Sequence, residues 1–85
     1  MNRRKLLQRI LHGSHSNIQF SDFVNLLTGL GFHEERIHGS HHMFRHPSVP
    51  DQVNLQSDRG QAKAYQVRQL VKLIRRYNLE LENEP

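Results

Sequence analysis

Apolar residues along this chain recur at two periods, and each period predicts a kind of element. In residues 3–11, Leu6, Leu7, Ile10 and Leu11 return at helical intervals among Arg3, Arg4, Lys5 and Arg9, which predicts a short amphipathic helix. The polar run His12-Gly13-Ser14-His15-Ser16-Asn17 then breaks it. A second helix follows, with Ser21 or Asp22 as its cap and Phe23, Leu26, Leu27 and Leu30 as its stripe. Gly29 and Gly31 mark its end. The longest stripe is Val67, Leu70, Val71, Ile74 and Tyr77, which predicts a final helix from Tyr65 to Leu79 with Arg68, Lys72, Arg75 and Arg76 on its other faces.

Between the second and the final helix the period drops to two. Residues 32–38 and 41–46 read as strands on either side of Gly39-Ser40, a pair suited to a type II′ hairpin because glycine accepts the positive φ at its first position. Pro47 and Pro50 are expected to end the second strand. Val53 and Leu55 alternate with Gln52, Asn54 and Gln56 and predict a third strand, and Ser57-Asp58-Arg59-Gly60 reads as a turn. A two-residue turn would pair His38 with His41, Ile37 with His42, Arg36 with Met43, and Glu35 with Phe44. Ile37, His42, Phe44 and His46 then share one face, and Arg36, His38, His41, Met43 and Arg45 share the other. Ile37 and Phe44 should seek the helices. The expected fold is a two-layer α+β domain, a three-stranded antiparallel sheet covered on one face by helices.

Composition narrows the setting. Eighty-five residues suffice for one small domain with one modest core. Twelve Lys and Arg against eight Asp and Glu leave a net charge of +4. Glu80, Glu82 and Glu84 crowd the last six residues, so the rest of the chain is more basic still. Such a surface suits a polyanion such as RNA or DNA. There is no cysteine, which excludes a disulfide framework or a cysteine zinc site. The basic N-terminus MNRRKLLQRIL lacks the apolar region and cleavage site of a signal peptide, and no window approaches the roughly twenty apolar residues of a membrane span. A soluble, cytoplasmic protein is expected.

The chemistry-bearing residues are histidines: four of the seven lie between Arg36 and Pro47. Their spacings occur in zinc sites, but strand alternation points His41 and His42 to opposite faces, so no metal site and no cofactor are expected. His42 and His46 should pack at the edge of the helices. His12 and His15, which form a second His-Gly-Ser-His segment, fall in a polar loop. His41 remains as the candidate for chemistry on RNA. Cleavage without a metal needs only that the 2′-hydroxyl lose its proton and attack its own phosphorus. An imidazole, ordinarily near pKa 6.5, can hold either proton state for that step. Arg36, Arg45, Lys63 and Arg68 are candidate cations for the charge that accumulates on phosphorus. His38 or His42 is the candidate complementary acid or base. Ser40 can reach a phosphate, as can the N-terminal N–H groups of the helix that Lys63 and Tyr65 open, and Tyr65 can stack on a base. Gln66 joins Arg68 as a possible RNA contact, and Gly39 is assigned to the turn that positions His41. These residues leave three function classes open: a ribonuclease, a nucleic-acid-binding module without catalysis, and a domain that chiefly binds another protein.

Four segments in order carry a resemblance. They are Gly31-Phe32, the block from Arg36 to Phe44 that contains Gly39-Ser40-His41-His42, Asn54-Leu55-Gln56, and the run from Gly60 to Gln69 that contains YQVRQ. Together they resemble the HicA-type toxins of bacterial toxin–antitoxin systems over roughly residues 20–79. The resemblance implies an α-β-β-β-α fold similar to double-stranded-RNA-binding domains. It also implies an endoribonuclease that cuts mRNA without a metal, with the histidine after Gly-Ser, here His41, as its catalytic residue. The implied partner is a HicB-type antitoxin that covers the active surface. Ala64 stands where the family pattern has a proline opening the last helix, and the N-terminal helix is an extension to the pattern. The expected division is therefore 1–17 for a basic helix and loop, 18–79 for the RNA-cleaving domain, and 80–85 for an acidic, frayed tail.

Overall fold

The computed structural model describes residues 1–82. Its elements are α1 (Arg3–Leu11), α2 (Phe20–Gly29), β1 (His33–His38), β2 (His41–His46), β3 (Val49–Asp58), β4 (Gln61–Ala62) and α3 (Ala64–Tyr77). The strands form one antiparallel sheet in the order β1-β2-β3-β4. From α2 to α3 this is the α-β-β-β-α arrangement of a double-stranded-RNA-binding domain, extended by α1 in front and by the short β4.

That fourth strand corrects the expected three. Asp58 pairs with Gln61 and Ser57 with Ala62 around Arg59-Gly60, whose φ values of 54° and 82° suit a two-residue hairpin turn. Gln19 bridges Gln61 beyond β4, with Phe20 N–H donating to Gly60 O and Ala62 N–H to Ile18 O, both at 2.8 Å. This bridge also explains the start of α2. The helix begins at Phe20 with Gln19 in the cap position and no side-chain cap, so neither Ser21 nor Asp22 serves there. Backbone bonds to the β4 hairpin hold the entering chain instead. Asp22 lies in the first turn, where a carboxylate suits the helix dipole, and sits 3.7 Å from the N-terminal ammonium.

The core forms on the helix-facing side of the sheet. Phe44 of β2 and Val49, Val53 and Leu55 of β3 are buried against Phe23, Leu26, Leu27 and Leu30 of the α2 region and Val67, Leu70, Leu73 and Ile74 of α3. Burying one such side chain contributes about 1.5–3 kcal/mol. Helix α1 adds Leu6 and Ile10 to the same core. It is capped by Asn2, whose Oδ1 accepts from Lys5 N–H at 2.8 Å. Arg3 donates to Asn25 Oδ1 at 2.8 and 3.2 Å, Arg9 donates to Ser16 O at 2.6 Å, and Arg75 reaches Leu11 O at 2.9 Å. Arg3 and Arg9 therefore fasten α1 to the domain, while Arg4 and Lys5 are exposed.

The β1–β2 hairpin has the expected turn. Gly39 has φ +61°, and His38–His41, Ile37–His42 and Arg36–Met43 pair across it. Beyond that the register shifts: a bulge between Glu34 and Arg36 leaves Glu35 without a partner and puts Glu34 opposite Phe44. Phe44 is buried as expected, but Ile37 is 56% exposed. The reason is position in the sheet. β1 is the open edge, all six of its residues are exposed, and the buried face is built by β2 and β3. Pro50 lies inside β3 rather than ending a strand. The ladder there passes from Phe44–Val53 to His46–Val49, so Pro50 falls in an irregular stretch that needs no N–H from it. Helix α3 stops at Tyr77, ahead of the expected Leu79, because Asn78 turns left-handed with φ 53° and ψ 48°. In the acidic tail, Glu80 is exposed, Leu81 packs half-buried on the core and Glu82 N–H donates to Gly29 O at 2.7 Å; residues 83–85 lie outside the described residues. Among the described residues no helix is long and apolar enough to cross a membrane.

Candidate functional site

The seven histidines separate by what their rings touch. His12 Nδ1 lies 2.7 Å from Gln8 O and His15 Nε2 3.1 Å from Ile10 O, both at the C-terminal end of α1. His42 Nδ1 lies 3.0 Å from the Glu34 carboxylate, with its ring tilted against Phe20 at 5.2 Å. His46 Nε2 is 2.9 Å from Leu30 O, and its Nδ1 accepts from Ser48 N–H at 3.0 Å while the ring edge meets Phe32. His42 and His46 thus pack at the helix edge, as alternation predicts. His33, His38 and His41 have no hydrogen-bond partner among the described residues. Nor do any three His, Asp or Glu side chains of the described residues come together as a metal would require.

His41 is the first residue of β2 and sits directly after the Gly39-Ser40 turn, exposed, on the sheet face that carries no helix. Its neighbour across β1 is His38 and across β3 is Gln56. The same face carries Arg36 of β1, opposite Met43, and Asn54 of β3 on Met43's other side. Arg45 is four residues along β2 from His41, on the order of 13 Å by strand rise. Its guanidinium meets the Glu35 carboxylate at 3.4 Å and Pro50 O at 3.5 Å. The unpaired Glu35 of the bulge is thereby accounted for.

The third side of the site comes from the entry to α3. Lys63 occupies the cap position of that helix, and its Nζ donates to Gln56 Oε1 at 2.9 Å. The other end of the same amide, Gln56 Nε2, donates to Ser40 Oγ at 3.0 Å. One glutamine thus joins the hairpin turn before His41 to the lysine that opens α3. Tyr65, in the first turn, is 57% exposed, and Arg68 is exposed one turn further on. Helix α3 begins at Ala64. Gln66 corrects an expectation: it is only 2% exposed and is not available to RNA. Its Oε1 faces Gln56 N–H and its Nε2 faces the Tyr65 hydroxyl, each at 3.5 Å, beneath the site.

Gln56 has no role in the sequence reading, which stops the histidine register at the second strand. Carrying that register into β3 places Gln56 beside His41, and Asn54-Leu55-Gln56 was already among the resembling segments. The link to Lys63 crosses from β3 to α3, and no periodicity reports it.

A family model described as the HicA toxin of bacterial toxin–antitoxin systems matches residues 20–75, about two thirds of the chain. No curated protein matches the chain, and no solved structure does. The matched stretch opens on the first residue of α2 and closes in the last turn of α3, so it contains the hairpin, Gln56 and the entry to α3 and leaves α1 outside. This chain belongs to the HicA family: it is the toxin of a bacterial toxin–antitoxin pair, and that role implies a cognate antitoxin as its partner.

Proposed function

We propose that this toxin is a metal-independent endoribonuclease that cleaves mRNA, with His41 as general acid or base. The observation that carries the reading is the contrast among the imidazoles. His41 stands at a hairpin turn on the open sheet face with both ring nitrogens unengaged among the described residues, while four of the other six are tied to carbonyls or a carboxylate. In the reaction, the 2′-hydroxyl gives its proton to the base and its oxygen bonds to phosphorus. The 5′-oxygen leaves and takes a proton from the acid, giving a 2′,3′-cyclic phosphate and a free 5′-hydroxyl. Two proton carriers on one face suit this step. His38 is the complementary candidate, because it pairs with His41 across the hairpin whereas His42 turns to the helices and binds Glu34.

The cations divide by their place in the fold: Arg36 shares the open sheet face with His41, and Lys63 is bonded to Gln56, which pairs with His41. Lys63 and Arg36 are the candidates for the scissile phosphate and its neighbour. Arg45 and Arg68 contact the RNA backbone further out, and Tyr65 offers an exposed ring to a base. Ser40 supplies a hydroxyl beside the phosphate, and Gly39 gives the turn its shape. The cleaving unit is residues 18–79, with 1–17 docked on it and the acidic end of the chain beyond. A HicB-type antitoxin that covers the open face would shield His41.

The test is a labelled mRNA fragment incubated with purified toxin in EDTA. Cutting that survives chelation, leaves a cyclic phosphate and disappears in His41→Ala is the expected result. A His41→Ala protein that cuts as fast as wild type would overturn the assignment. Binding of RNA without any cutting by wild type would favour the non-catalytic alternative.

A further inference from the structure

The ribonuclease reading leaves one well-made contact unused. Gln56 is part-buried on β3 with its amide held at both ends, Nε2 by Ser40 Oγ at 3.0 Å and Oε1 by Lys63 Nζ at 2.9 Å. These partners fix which end of the amide is which, because an ammonium has only donors and must face the oxygen. The Ser40 hydroxyl then accepts from the amide, and its own hydrogen stays free to donate outward. Lys63 uses one of its three N–H groups on Gln56 and keeps two. Beneath, the Gln56 backbone N–H faces the buried Gln66 at 3.5 Å, so the strand that carries the amide is backed by α3. Ser40 precedes His41 in the chain and Gln56 pairs with it across β2–β3, so the amide ties Lys63 to both of these neighbours of His41.

We propose that Gln56 is a positioning residue of the active site: its amide sets Ser40 and Lys63 beside His41 as the two sides of a seat for the scissile phosphate. The inference rests on the ribonuclease reading and goes beyond it by giving the anion seat an organiser outside the hairpin. A free lysine would spread its ammonium over many rotamers. Held by the amide it is ordered before substrate arrives, and that preorganisation counts most where negative charge grows in the transition state. The effect should therefore fall on turnover more than on RNA affinity.

The experiment compares the full chain carrying Gln56→Met with wild type in single-turnover cleavage of a labelled RNA, alongside RNA affinity measured on a His41→Ala background. Methionine keeps the length and removes both bonds. Losing two hydrogen bonds, one of them charged, should slow cleavage by about ten- to a hundredfold while affinity changes less than about threefold. Circular dichroism melts verify the fold, and Gln56→Glu gives a second variant that retains the Lys63 contact and loses the donor to Ser40. It should slow cleavage too, by adding negative charge where phosphate sits. A merely structural glutamine is separated by a double-mutant cycle: Gln56→Met on top of Lys63→Met should cost little more than either change alone, because both abolish the same arrangement. Additive losses would overturn the proposal, as would a folded Gln56→Met that cuts like wild type; in either case the ribonuclease reading stands. Absence of cutting by wild type would overturn both.

Discussion

The tetrapeptide His-Gly-Ser-His occurs twice in this chain, and its two copies have opposite fates. Residues 12–15 close α1. His12 is the cap residue, Gly13 turns with φ +101°, and both histidine rings reach back to carbonyls of the last helical turn. Those carbonyls also accept the backbone N–H groups of His12 and Gly13, each at 3.1 Å, so the rings add second bonds at a helix end where carbonyls run short of helical donors. Residues 38–41 close a hairpin. Gly39 again has positive φ, but the flanking strands hold the two histidines side by side, with no ring bond to an acceptor among the described residues. Four identical residues thus make a helix cap in one place and, among the described residues, a pair of unengaged imidazoles in the other. What differs is the backbone on either side.

The largest effect that could break this contrast lies in catalysis. His41→Ala should lower cleavage by about 10²–10⁴-fold, the usual contribution of a positioned acid or base, with stability within about 0.5 kcal/mol of wild type. His12→Ala and His15→Ala should cut at the wild-type rate. The measurement is initial cleavage rate at equal concentrations of folded protein. If His15→Ala were as slow as His41→Ala, the two copies would not be divided as the geometry divides them.

The contrast was legible in advance to the extent that strand alternation reports faces. The apolar stripes predict all three helices. Gly39-Ser40 predicts the turn, and the turn predicts three of the four named cross-strand pairs. Elements fixed by contacts distant in sequence were not legible. A two-residue strand such as Gln61–Ala62 is too short to show alternation, and it exists because Gln19 and Phe20 come back to it. The same return displaces the α2 start from the capping residues. Ile37 follows the alternation of Phe44 yet stays exposed, since alternation assigns a face and cannot tell how far the helices extend over it. Gln66 reads as polar and is buried because α3 presses its first turn against β3. At the site, His41 and its turn were visible as a motif, whereas the Ser40–Gln56–Lys63 chain joins three separate elements and has no local signature.

The glycines sharpen the comparison at an intermediate size. An added Cβ would meet nothing within 4 Å at either Gly13 or Gly39, so Gly→Ala strains only the backbone at both. Each substitution should lower stability by about 1–2 kcal/mol, the cost of a positive φ on a residue with a side chain. Chemical denaturation should therefore report similar losses. Cleavage should not: Gly39→Ala distorts the turn that aims His41 and should slow cutting by about tenfold or more, while Gly13→Ala leaves the folded molecules fully active. Equal rates for the two variants would mean that the Gly39 turn does not position the catalytic side chain.

The smallest effects fall in different assays for the two copies and so probe the contrast most finely. His15 is part-buried and its ring bonds Ile10 O at 3.1 Å, so His15→Ala should cost about 0.5–1.5 kcal/mol of stability, read as a lower urea midpoint at unchanged slope. His38 bonds nothing among the described residues, and His38→Ala should leave the midpoint in place. Its cost should appear in cleavage instead, if it carries the second proton. The two alanine variants then exchange places between the two assays. A His38→Ala protein with wild-type cleavage would leave His41 as the one candidate proton carrier on the open face of the hairpin, and would shift the search for the second to the Lys63 side of the site.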